Sequence, residues 1–246
     1  MQTEASSNSD YNRKTKIIIL DFDGTLADTT GVIIQTMQAT IKELGLPERS
    51  YEECVATIGL RLTEVQKSLF PDMDLDGEVY ARTYRRLFHE FNSNGAVKIY
   101  PNVLETLAEL KKRGYILTIA SSRSHVTLDD FVRNLGLSDI ITYVLGGEDV
   151  TEGKPAPEAV IKTLAKFGIR PDEAIVVGDT TFDIEMGRNA GAKTCGVTFG
   201  NGTRESLSKA DWLIDDFSKL LECLSQVGSR LVPDSRESCS NSSFYI

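Results

Sequence analysis

Apolar positions recur along this chain with two different periods. Ile17-Ile18-Ile19-Leu20 is an uninterrupted apolar run, the pattern of a strand buried on both faces. It breaks at Asp21-Phe22-Asp23-Gly24-Thr25, and the Gly-Thr-Leu-Ala-Asp segment that ends at Asp28 could form a small hairpin or flap. From Thr30 the period lengthens: Ile33, Met37, Ile41 and Leu44 share one helical face, and Gly45 followed by Pro47 closes that helix. Ser50-Tyr51-Glu52-Glu53 and Thr63-Glu64-Val65-Gln66 fit the capping-box pattern and predict two more short helices. A longer helix over 78–91 buries Tyr80, Tyr84, Leu87, Phe88 and Phe91. No strand is predicted between Thr30 and Lys98.

After Tyr100-Pro101 helices and strands alternate. The predicted order is helix 102–113, strand 115–120, helix 124–135, strand 141–145 and helix 157–167. Strand 174–177, helix 181–190, strand 192–198, a short strand over 212–214 and a last helix over 216–226 complete it. This alternation predicts an α/β fold, a Rossmann-like parallel sheet with helices on both faces. The all-helical stretch inserted after the first strand reads as an α-helical cap. The expected organisation is a disordered leader over 1–15, a core over 16–29 and 99–227, a cap over 30–98, and a Ser-rich flexible tail over 228–246.

Composition narrows the function classes. With 246 residues, 41% hydrophobic and 26% charged, the chain has apolar material for a core without covalent staples. A net charge of −9 argues against non-specific nucleic-acid or anionic-membrane partners. An anionic substrate must therefore be drawn by local cations. The polar N-terminus lacks a signal-peptide pattern and no run has membrane-spanning length, so a cytoplasmic location is expected. Cys54, Cys195, Cys223 and Cys239 lie far apart, as reduced thiols would. No exposed apolar stripe assigns an oligomeric state.

In an open parallel sheet, ligands bind outside the carboxyl ends of the strands, so the residues just after each strand are the ones to inspect. They are Asp21 and Asp23; Ser121, Ser122 and Arg123; Gly153-Lys154-Pro155; and Gly178-Asp179-Thr180-Thr181-Phe182-Asp183. Carboxylates from two strands, a hydroxyl from a third and an ammonium from a fourth connection suit a divalent metal and a phosphoryl group. Each residue also has an ordinary reading. Asp21 and Asp23 could close an acidic turn, Ser121 could cap the following helix, Lys154 could be a solvated loop lysine, and Asp183 could complement a helix dipole. Their joint placement at the strand ends favours chemistry.

These four segments, in this order, resemble the motifs of the haloacid dehalogenase-like phosphohydrolase superfamily, and the helical insertion is similar to its four-helix cap. Gly153-Lys154-Pro155-Ala156-Pro157-Glu158 and Gly196-Val197-Thr198-Phe199-Gly200-Asn201-Gly202 most resemble the phosphoglycolate phosphatase and pyrophosphatase group. The resemblance implies a Mg²⁺-dependent phosphatase of a small phosphorylated metabolite, phosphoglycolate first. Pyrophosphate hydrolysis and a β-phosphoglucomutase-like phosphomutase are the alternatives, and a non-catalytic module comes last. It implies that Asp21 attacks phosphorus and binds metal, and that Asp23 handles protons and offers its backbone carbonyl to the metal. Asp179 would complete the metal set, Lys154 and Ser121 would hold the phosphoryl oxygens, and Asp183 would support from behind. Thr25, Arg61, Ser122 and Arg123 are further candidates for substrate contact.

Overall fold

The computed structural model describes residues 15–92, 95 and 97–227. The expected leader and tail therefore lie outside the described residues, except for Thr15, which is buried. Strand β1 (Ile17–Leu20) is completely buried. Its side chains alternate between two cores. Ile17 and Ile19 pack in one apolar cluster with Val160, Leu164, Val176 and Met186, and Ile18 and Leu20 pack in the other with Leu107, Leu117, Phe131 and Val177. A strand sandwiched between helical layers needs apolar residues at every position, hence the unbroken isoleucine run.

After β1 the chain turns. The amides of Thr25, Leu26 and Ala27 all donate to the Phe22 carbonyl, leading into a two-residue strand, β2 (Ala27–Asp28). Four helices follow: α1 (Thr30–Glu43), α2 (Tyr51–Val55), α3 (Leu62–Leu69) and α4 (Gly77–Phe91). Ser50 caps α2 with the expected reciprocal bonds to Glu53. The third helix starts earlier than the Thr63 pattern predicts. Its cap position is Arg61, whose amide donates to Glu64 at 3.1 Å, so Glu64 closes back on Arg61 and not on Thr63. The chain returns through β3 (Lys98–Ile99), which pairs antiparallel with β2, Ala27 opposite Ile99 and Asp28 opposite Lys98. The expected flap is thus half of a ribbon whose other half lies some seventy residues away, beyond the reach of local periodicity.

The alternating part follows as α5 (Val103–Lys112), β4 (Ile116–Ala120), α6 (His125–Asn134), β5 (Tyr143–Leu145) and α7 (Glu158–Phe167). It continues with β6 (Ala174–Gly178), α8 (Thr181–Asn189), β7 (Lys193–Val197), β8 (Trp212–Ile214) and α9 (Leu220–Val227). The main sheet has six parallel strands in the order β5-β4-β1-β6-β7-β8. The chain builds outward from β1 to one edge, then crosses back to β6 and builds to the other. β1 and its neighbours therefore stand where the order reverses, and a crevice opens at their carboxyl ends. Cys54, Cys195 and Cys223 are buried free thiols, and Cys239 lies outside the described residues. Among the described residues no helix is long and apolar enough to cross a membrane.

Candidate active site

Asp21 is the first residue past β1; its amide still donates to the Val177 carbonyl, so the sheet holds its backbone. Asp179 follows β6 directly, and Asp183 lies in the first turn of α8. The three carboxylates are buried, each offering an oxygen within 4.8 Å of the others. Lys154, from the loop between β5 and α7, enters the same cluster, and its Nζ donates to Asp21 Oδ1 and to Asp183 Oδ1, the latter at 2.6 Å. It is only 6% exposed, so this is no solvated loop lysine.

Asp183 and Asp179 also accept hydrogen bonds from the surrounding chain. Asp183 Oδ2 accepts from the Thr180 amide at 3.0 Å and its hydroxyl at 2.7 Å. Asp179 accepts from Thr25 Oγ1 at 3.1 Å, and from the amide and side-chain nitrogens of Asn201 at 2.7 and 2.8 Å. The packing leaves no room for a side chain at Gly24, where φ is +84° and a Cβ would lie 2.2 Å from Asp179 Oδ2. The glycine after Asp23 is thus what lets the first turn close against the Asp179 carboxylate.

Charge explains what the cluster is built to hold. Burial pushes the Asp21 carboxyl well above its ordinary range; Lys154 opposes this, while Asp183, Asp179 and Asp23 add to it. Burial and then Asp183 push Asp179 up to about 7 against the bonds from Asn201 and Thr25. Burial alone would lower the Lys154 ammonium, but Asp183 and Asp21 outweigh it and hold its pKa above the ordinary lysine value. Three buried carboxylates facing one ammonium are two positive charges short, and buried uncompensated charge is costly. A hard divalent cation with oxygen ligands makes up that deficit, and the donor set present here fits one.

Asp23 stands outside this group. Its carboxylate takes a two-pronged ion pair from Arg123, Nη2 to Oδ1 at 2.6 Å and Nε to Oδ2 at 3.0 Å. The guanidinium lies 4.5 Å from the ring centre of Phe88, on α4, and 5.2 Å from that of Phe131, on α6. Ser121 follows β4, is buried, and its Oγ accepts the Arg123 amide at 3.2 Å. The task of capping α6 falls to Ser124, whose hydroxyl accepts the Thr127 amide.

The other candidates are hydrogen-bonded to neighbouring parts of the chain. Ser122 Oγ donates to the Gly59 carbonyl at 2.5 Å. Arg61 donates to Glu64 Oε1 through Nε at 3.0 Å and Nη2 at 2.5 Å, and through Nη1 to the Thr151 carbonyl at 3.0 Å. Thr25 bonds a carboxylate of the cluster. His89 is exposed on α4 and lines the cavity above the site. His125 pairs with Asp149 at 2.5 Å. Asn201 is the partner that the residue-by-residue reading passed over. Its signal lay in the Gly-Asn-Gly segment already singled out, since two flanking glycines bring backbone close to whatever asparagine binds.

The haloacid dehalogenase-like hydrolase family matches residues 18–197. This chain belongs to that family. It is 34% identical over 185 residues to the phosphoglycolate phosphatase of Aquifex aeolicus (strain VF5), covering 75% of this chain and 85% of that one. It is 32% identical over 217 residues to the pyrophosphatase PpaX of Bacillus cereus (strain AH820), covering 87% and 98%. Among solved structures, a hydrolase from Pseudomonas syringae superposes with a TM-score of 0.78 at 23% identity, covering 87% and 99%, a likeness of fold. The relatives are phosphatases, and the chain is a hydrolase of phosphoric esters.

Proposed function

We propose that this enzyme is a Mg²⁺-dependent phosphatase that hydrolyses a small phosphorylated metabolite through an aspartyl phosphate on Asp21. The observation that carries the reading is the convergence of Asp21, Asp179, Asp183 and Lys154 in one buried cluster at the carboxyl end of the sheet. A bound divalent cation, held by Asp21 and Asp179 with the Asp23 carbonyl, would neutralise the phosphoryl oxygens that otherwise repel an attacking carboxylate.

Within that frame Asp21 attacks phosphorus in line, forming its own O–P bond as the ester O–P bond breaks. The departing oxygen takes a proton from Asp23. Asp23 then removes a proton from water, which attacks the aspartyl phosphate and releases inorganic phosphate with Asp21 restored. Lys154, fixed by two carboxylates, keeps Asp21 aimed and stands by as charge spreads over the phosphoryl oxygens. Ser121 turns its hydroxyl hydrogen toward the same oxygens, its lone pair being taken by the Arg123 amide. Asp183 holds Lys154 from behind. The relatives' names make phosphoglycolate and pyrophosphate the reference substrates.

The test is phosphate release with Mg²⁺ over phosphoglycolate, pyrophosphate, sugar phosphates and nucleotides, comparing the native protein with Asp21→Asn. Loss of the nucleophile lowers kcat on the order of 10³-fold or more. Chelation with EDTA removes the activity and added Mg²⁺ restores it. Turnover by Asp21→Asn within tenfold of native would refute the nucleophile, and activity indifferent to chelation would refute the metal.

A further inference from the structure

A cleft above Asp21 and Asp23, open to solvent along one side, offers about 950 Å³ between the helical insertion and the sheet. Sites for drug-sized ligands span about 300–1,000 Å³, so this one lies at the upper end. It is far larger than a two-carbon acid or a second phosphate fills. Apolar side chains from both halves form much of its wall: Ile33 and Met37 of α1, Leu60 and Leu62 at the start of α3, Phe88 of α4 and Val126 of α6.

The charged residues of the wall point the same way. Glu78, Asp130 and Glu148 line it in addition to Asp21 and Asp23, against Arg61, Arg85 and Arg123. Each arginine already faces an acid: Arg61 faces Glu64 at 2.5 Å, Arg85 faces Glu78 at 3.7 Å and Arg123 faces Asp23 at 2.6 Å. No lysine is among the described lining residues. A second anionic group on the substrate would lose its water with no unengaged arginine or lysine to meet it, beside Glu148 and the ion-paired Glu78 and Asp130. An uncharged apolar body would bury against the wall with no such cost.

We propose that the substrate is a phosphate monoester whose leaving group is an uncharged, mainly apolar alcohol or phenol at least as bulky as one six-membered ring. This rests on the phosphatase reading above and names the substrate class of the same site. Phosphate enters toward Asp21, and the apolar body fills the space under α1, α3 and α4. The ester O–P bond breaks, and the alcohol leaves with the proton donated by Asp23.

Steady-state phosphate release by the full chain with Mg²⁺, on 2-naphthyl phosphate, phosphoglycolate and pyrophosphate, tests it. The expected result is a kcat/KM at least tenfold higher for 2-naphthyl phosphate than for either anionic substrate, carried mainly by a lower KM. Leu60→Lys, which places a cation on the half-buried wall, shifts the ratio of phosphoglycolate to naphthyl phosphate at least fivefold toward phosphoglycolate. Val126→Lys, at a position 71% exposed where folding is not at risk, shifts it in the same direction. Native preference for phosphoglycolate or pyrophosphate, or a ratio unmoved by both lysine variants, overturns the proposal and leaves the phosphatase reading standing. Absence of phosphate release from every ester and from pyrophosphate overturns the phosphatase reading, and this proposal with it.

Discussion

At the scale of single residues, the pairing of Arg123 with Asp23 governs more than its own contact. A guanidinium fork on a carboxylate fixes both oxygens in a plane, which an ammonium cannot do. In the mechanism we propose, Arg123 is therefore a positioning residue for Asp23. We predict that Arg123→Lys lowers kcat about tenfold and Arg123→Ala about 100-fold with KM little changed, since misplacement of a reacting group can cost that much. A raised KM at unchanged kcat would instead assign Arg123 to substrate binding. The meeting of single residues in one cluster was legible in the sequence where residue type and place after a strand coincide, as for Asp21, Lys154 and Asp179. The pairings were not. Arg123 meets Asp23 across 100 positions and Asn201 meets Asp179 across 22, and no spacing rule reaches that far. Arg61, read as a substrate contact, is held by Glu64 three residues on, a bond its helical spacing allows but does not demand.

At the scale of elements, β1 sets the rigidity of the site because it belongs to both cores at once. Ile19 is fully buried, and its truncation to Ala leaves a cavity beneath the residue next but one along, Asp21. We expect Ile19→Ala to lower unfolding free energy by about 2–5 kcal/mol in a denaturant titration. The start of α6 offers a pH-dependent contact. The Asp149 hydrogen bond raises the His125 pKa above its ordinary value against partial burial, with Asp129 and Glu148 adding to it. A raised folded-state pKa means the protonated pair stabilises the fold fully below the ordinary histidine value of about 6.5, and that contribution fades as pH climbs through the higher folded value. His125→Gln is therefore expected to flatten the fall in melting temperature above pH 6.5, and an unchanged slope would remove the pair from the account. Elements with a strong period were readable to within a residue or two, except the last helix, whose predicted start at 216 is a 3-10 turn over Phe217–Lys219 before Leu220. The β2–β3 ribbon was not, because two residues carry no period and their pairing is a property of the whole insertion.

At the scale of the molecule, the unbalanced acid cluster makes stability depend on the ion it is built to hold. We predict that Mg²⁺, by binding the folded chain and not the unfolded one, adds about 2.7 kcal/mol at about 100 times its Kd, or roughly 5–10 °C in a protein of this size. A thermal melt with and without Mg²⁺ checks this. Asp179→Asn, which takes away one ligand charge, should lose most of the rise.

The two-stranded ribbon of Ala27–Asp28 and Lys98–Ile99 has an architectural consequence. The outgoing and returning passages of the chain lie side by side, opposite residues about 4.5–5.5 Å apart as in any antiparallel pair. The whole four-helix insertion is thus joined to the sheet through one paired stem, in addition to the contacts its helices make below. A two-residue Asn-Gly turn could join Asp28 to Lys98 directly and leave the sheet its full set of strands. Any other insertion whose ends meet at that spacing could be mounted in its place. The stem makes the helical insertion an exchangeable fitting, while the acid cluster stays with the sheet below.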